Sequence, residues 1–274
     1  MKWITLRAVF VCFVSFFACS SRVFGETDEP YRFRSGFHLK QNHRFSNTQL
    51  KTLLHGFRFW TGLSEITFDG SGNLSLGDRS HVTGGSVTAR NLIIAAVDGQ
   101  DSFALENRDG SATIAFAQIE STERYVDGNG GRHTGWEVRL DLSDFDELTG
   151  TAALKVAFDP AINVVHELGH AICGYFDLIE GGDELGECER FINRMRLEVG
   201  LPQRLEYYPH YRMVRRADGL TFRQAELAFA DTASEDKPEK LSLSFNLERV
   251  FDLSRARSKE AIHTTLIAQK NSRP

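Results

Sequence analysis

The sequence predicts an α+β chain in which a small mixed β-sheet precedes a pair of helices. Three observations carry that expectation. Short β-favouring runs alternate with glycine turns over residues 64–157, an Asp159-Pro160 pair opens an apolar helical segment, and a second amphipathic segment stops at Gly200 and Pro202. With 274 residues, 41% hydrophobic and 25% charged, there is material for one good core or a core plus an appendage.

The first elements are not part of that core. An apolar run over residues 8–19, broken only by Ser15, follows Lys2 and Arg7. It is shorter than the roughly 20 residues a membrane span needs and suits the centre of a secretory signal. Residues 1–25 are therefore expected to be a signal peptide, and the mature chain to be secreted or periplasmic. Cys19 also fits a lipoprotein signal, in which case a lipid there would be the chain's link to a membrane. Residues 26–46 are polar and lack a clean period, as in a leader or linker laid over the surface.

Residues 48–63 place Leu50, Leu53, Leu54, Phe57 and Trp60 at three- and four-residue steps, the mark of a helix with one buried face. Strands are expected at 65–68, 87–97, 112–119 and 136–142. Between them Asp69-Gly70, Asp98-Gly99, Asp109-Gly110 and Asp127-Gly128 supply turns, since glycine takes the positive φ of tight hairpins. Pro160 fits a first helical turn with Asp159 as its N-cap, so helices are expected at 161–174 and 183–199. Residues 220–230 and 241–251 return to β-like runs, joined by a polar loop with Pro238. On this basis the main domain spans 47–212 and a β-like C-terminal extension with a polar tail spans 213–274. The net charge of −5, with scattered Lys and Arg, argues against a nucleic-acid partner.

His166-Glu167-Leu168-Gly169-His170 is an HExxH sequence. Four residues of helix return to within about 40° of the start, so both imidazoles leave one face a turn apart and can share one Zn²⁺. Glu167 lies one step round, placed to act as general base on a zinc-bound water. The expected reaction is amide hydrolysis. A catalytic zinc takes a third protein ligand, and Glu180, Glu184, Glu187 and Glu189 are the near candidates. If Leu185, Cys188, Ile192, Met195 and Val199 form the buried stripe of the second helix, Glu184 falls inside it. Glu187 and Glu189 border it on opposite sides, and helix geometry leaves the choice open.

The run from His166 to Ala171, then Glu187-Cys188-Glu189, then Asn193-Arg194 through Gly200-Leu201-Pro202, Arg204 and Tyr207, resembles the effector-type zinc metallopeptidases of the gluzincin class, proteins like type III secretion effectors. The similarity covers about 157–211. It implies a zincin-like fold, a second ligand-bearing helix, a protein or peptide substrate, and a third ligand from the Glu187/Glu189 pair, with Glu187 preferred and Glu189 the alternative. The chain departs from that family in the intervening Cys188, the secretory signal and the long β-like C-terminal part.

Arg204 and Tyr207 are donors suited to a developing oxyanion, and Tyr207 is the expected second catalytic residue. His210 is a further candidate ligand or proton donor. Two readings compete with the peptidase. In one, His166, His170, Cys173 and Cys188 close a structural zinc site; in the other, the same chemistry acts on a non-protein amide. Cys173 and Cys188, the cysteines beyond the signal, fit either a disulfide or free thiols.

Overall fold

The computed structural model describes residues 34–127, 129–177, 185–231 and 239–250. The expected signal and Cys19 lie outside these residues, as do Glu180, Glu184, Pro238 and the polar tail. The chain runs β1 (Gly36–Leu39), α1 (Asn47–Thr61), β2 (Thr67–Phe68), β3 (Leu74–Ser75), α2 (Val87–Asp98), β4 (Ser102–Asn107), β5 (Ala117–Val126) and β6 (Arg132–Leu140). It continues through α3 (Ser143–Asp146), α4 (Ala152–Ala157), α5 (Pro160–Cys173), α6 (Glu187–Glu198), β7 (Gln203–Arg204), β8 (His210–Arg215), β9 (Thr221–Ala230), β10 (Lys240–Asn246) and α7 (Leu247–Val250). The result is a mixed α+β fold. Among the described residues no helix is long and apolar enough to cross a membrane.

The first sheet has the order β1-β4-β6-β5, with β1, β4 and β6 parallel and β5 antiparallel to β6 at the edge. Its period of two sends Phe103, Leu105, Val138 and Leu140 into the core. The same alternation sends Glu106 and Glu137 to the other face, where Lys40, Arg108 and Arg139 pair with them. Onto the apolar face pack Leu53, Phe57 and Trp60 of α1, Leu92 and Ile93 of α2, and Val164, Val165 and Leu168 of α5.

A second sheet, β10-β9-β7 with β8 also on β9, is antiparallel throughout. Its Leu227, Phe229, Leu243 and Phe245 close over Phe116, Leu154 and Phe158 in a separate apolar cluster. Phe158 immediately precedes the Asp159 cap of α5, so both cores abut the start of that helix.

Several expectations need correcting. Residues 87–97 form helix α2 rather than a strand. The Ser86 hydroxyl caps the Ala89 N–H, and the buried Ala89, Leu92, Ile93 and Ala96 recur at helical steps, so packing overrides the β-favouring valines and isoleucines. The expected leader at 26–46 contains β1, whose four residues are all buried beside β4, because an apolar Gly-Phe-His-Leu run completes the sheet edge. Strand β4 went unseen in the sequence, and β5 begins five residues later than expected. No boundary falls at 212: β8 straddles it, and Thr149 and Ser244 exchange backbone hydrogen bonds at 2.8 and 2.9 Å, tying the C-terminal sheet to the main body.

Edge strand β5 is launched from a strained point. Phe116 has a φ of 62°, and its N–H donates to Asp144 Oδ2 at 2.8 Å. Burial, reinforced by Asp141, Glu147 and Asp109, pushes Asp144 up to about 8. Because this folded value lies above the unfolded value of about 3.9, Asp144 contributes its stability in full below about pH 4 and loses it as pH rises toward 8. Asparagine keeps the acceptor and stays neutral. Asp144→Asn is therefore expected to match wild type in urea unfolding near pH 4 and to exceed it by more than about 1 kcal/mol at pH 8. A difference that stays constant between those pH values would rule out Asp144 as the source.

Candidate metal centre

Helix α5 is built to hold its motif rigidly. The Asp159 carboxylate accepts the Ile162 N–H at 2.8 Å and the Trp60 indole N–H at 3.1 Å, and Pro160 supplies the first turn. The face carrying Ala161, Ile162, Val164, Val165 and Leu168 is buried, which leaves Glu167 and His170 at the margin of the core. At the far end Gly174 is left-handed (φ 68°, ψ 21°), and its N–H closes onto His170 O at 3.1 Å. The chain then folds back across the end of the helix through Tyr175, Phe176 and Asp177.

That reversal brings three side chains together. His166 Nε2 and His170 Nε2 are 3.1 Å apart, Asp177 Oδ2 is 3.1 Å from His170 Nε2, and Asp177 Oδ1 is 3.4 Å from His166 Nε2. The outer nitrogens face acceptors: His170 Nδ1 is 2.7 Å from Tyr175 O, and His166 Nδ1 is 3.7 Å from Glu189 Oε2. The carbonyl acceptor at His170 Nδ1 favours a hydrogen there, which turns the Nε2 lone pair of the neutral ring toward the cluster. Two lone pairs and a carboxylate at about 3 Å repel one another unless a proton or a cation lies between them. Burial opposes charge on His170, yet the Asp177 carboxylate and its neighbours outweigh it and raise the ring to about 11. Burial likewise opposes charge on Asp177, and the two rings hold it far below the usual carboxylate range.

These residues fit a metal ion. A tetrahedral site with arms of about 2.0–2.1 Å has edges of about 3.3 Å, close to the observed separations. The buried Asp177 Oδ1 has no hydrogen-bond partner among the described residues, which leaves an acceptor to be satisfied. Anchoring of His170 Nδ1 by the Tyr175 carbonyl is the outer arrangement that metal-ligating histidines use.

The other candidates are placed as follows. Glu167 is partly buried; burial raises its pKa, and the positive rings and the backbone of Ile119 in β5 work against that rise. Glu187, preferred as third ligand, is exposed at the start of α6 and accepts the Phe176 N–H at 3.4 Å, outside the gathered donors. Glu189 is 1% exposed and belongs to a buried charge cluster, pairing with Arg196 and, at 3.1 Å, with Arg204. It backs His166 instead of joining the donor triangle. Arg204 is committed to Glu189 and Tyr207 O and does not face the donors. The Tyr207 hydroxyl donates to Asp177 Oδ2 at 2.5 Å, inside the site. His210 is exposed and pairs with Glu206.

Cys173 and Cys188 are both free. Cys173 is exposed and outside the cluster, whereas Cys188 lies within it, so the four-ligand set His166, His170, Cys173 and Cys188 does not assemble. Asp177 is the residue that sequence reasoning missed. Its signal was a carboxylate three residues beyond Gly174, the glycine that ends the motif helix. No family model, curated protein or solved structure matches the chain.

The geometry separates the carboxylates by experiment. If the gathered donors take a metal ion, Asp177→Asn is expected to weaken its binding by at least about 100-fold, the upper end of what even outer-shell changes cost. Glu187→Ala should leave metal binding as in wild type and shift stability by less than about 0.5 kcal/mol. Glu189→Ala strands two buried guanidinium groups and is expected to cost about 3–5 kcal/mol in chemical denaturation. Zinc titration of the three variants checks the assignment; loss of the ion in Glu187→Ala alone would restore Glu187 as the ligand.

Proposed function

We propose that the chain is a zinc-dependent hydrolase of peptide bonds, with His166, His170 and Asp177 holding the ion and Glu167 as general base. The convergence of His166, His170 and Asp177 at ligand-like separations, on the helix that carries Glu167, is the observation that supports this reading. When bound, the ion would supply Lewis acidity, polarising a carbonyl and acidifying a water.

Each protein group then has a defined task. Glu167, with its pKa raised by burial, is a better proton acceptor than a solvated carboxylate. The Tyr207 phenol, kept protonated by burial and by Asp177, is a hydrogen-bond donor beside the place where negative charge develops. Tyr175 O orients the His170 ring through Nδ1, and the Glu189 carboxylate stands 3.7 Å behind His166 Nδ1.

A peptide substrate is favoured over other amides by strand β5. It is an edge strand whose outer side pairs with no other strand among the described residues, and it packs against α5 beside Glu167. An extended peptide adding to that edge would lie along the site by backbone hydrogen bonding.

The test is the purified chain, assayed for bound metal and for cleavage of a mixture of denatured proteins. Wild type should bind about one zinc and cleave. Glu167→Gln should retain the zinc and lose activity, and Tyr207→Phe should lower kcat about 10²–10³-fold with KM little changed. Zinc that binds to an inert wild-type protein, or full activity in Glu167→Gln, would overturn the hydrolase reading.

A further inference from the structure

We infer that Cys188 is a fourth, protein-supplied donor that closes the metal site in its resting state; this rests on the metal reading above. The Cys188 thiol is fully buried at the second position of α6, and Sγ lies within 4.8 Å of the donor atoms of His166, His170 and Asp177. The S–H donates to His166 O at 3.2 Å, so the sulfur lies against the backbone of a residue whose ring belongs to the cluster.

Buried cysteines more often act as small apolar fillers. Two features separate this one from a filler. It is the only thiol among the described residues gathered with the two rings and the carboxylate, since Cys173 on the motif helix itself is exposed. The wall opposite is also shaped for it: a Cβ on Gly169 would stand 3.1 Å from Sγ, tighter than ordinary contact, so the glycine inside the motif makes the room that the sulfur occupies. With its longer metal–sulfur distance of about 2.3 Å, a thiolate needs that extra room at a tetrahedral corner.

Two nitrogens, a carboxylate oxygen and a thiolate form a complete tetrahedral set with no position left for water, the arrangement of closed sites. With Sγ held on His166 O a bound ion would have three protein donors, the set that keeps a position open. The side chain of Cys188 thus decides between a latent and a hydrolytic site, and the soft sulfur biases the site toward zinc over harder cations.

Cobalt reads this directly, because a thiolate on Co²⁺ gives a near-ultraviolet charge-transfer band that nitrogen and oxygen ligands do not. The full chain carrying Cys12→Ser, Cys19→Ser and Cys173→Ser has Cys188 as its sole thiol and answers without any change at Cys188. Loaded with Co²⁺, it is expected to show the thiolate band together with the visible bands of a four-coordinate ion. Cys188→Ser added to that background should bind cobalt and lose the thiolate band. Bound cobalt with visible bands and no thiolate band overturns the inference and leaves the three-ligand reading standing. Failure to bind cobalt or zinc at all overturns both.

Discussion

The buried carboxylate of Glu189 is the contact on which the arrangement around the site depends. Burial works against its charge, and Arg196 and Arg204 on either side more than offset it, holding the group at about 2. Each partner extends the cluster to a different element. Arg196 donates to Ala157 O at 2.8 Å, at the end of α4, and Arg204 donates to the Tyr207 carbonyl beyond β7. Asn193 pairs with both backbone groups of Arg204, at 2.7 and 2.8 Å, so α6 and β7 are fixed to each other side by side. Glu189 faces His166 Nδ1 from this cluster. A charge network of this kind holds geometry well, because removing any one member leaves the others uncompensated in a low-dielectric interior.

The groups of the candidate site come to one place from four segments by short-range devices. Asp159 and Pro160 set where α5 begins, and therefore which way His166, Glu167 and His170 point. Gly174 stops the helix one turn after His170, and its left-handed conformation sends Asp177 back to the two rings. Tyr207 reaches the same carboxylate from beyond β7, and β5 packs against the helix that carries Glu167. The site lies where the helix-packed sheet and the C-terminal sheet both abut α5, so neither apolar cluster alone defines it.

Much of this was legible from local pattern. The N-cap at Asp159, the motif helix and its glycine stop, the helix α1 and the C-terminal strands follow from periodicity and capping, which act over one or two turns. Helix α2 was not legible, because Val87, Leu92, Ile93, Ile94 and Val97 satisfy a strand as well as a helix until the packing partner is known. Strand β1 was hidden for a related reason: four residues are too few to show a period, and only pairing with β4 makes them a strand.

By itself the sequence determined the two imidazoles and the carboxylate of His166, Glu167 and His170, since a spacing of four residues on a helix places groups on one face in any fold. Which further groups join them was decided by the tertiary structure. Glu187 and Glu189 look equivalent as neighbours on one helix, yet the buried arginines claim Glu189 and solvent claims Glu187. Asp177 enters through a chain reversal whose outcome depends on α6 and Tyr207 as well as on Gly174. Local geometry is encoded in the order of residues, whereas competition among charges for a few buried positions is settled only when all the competitors are in place.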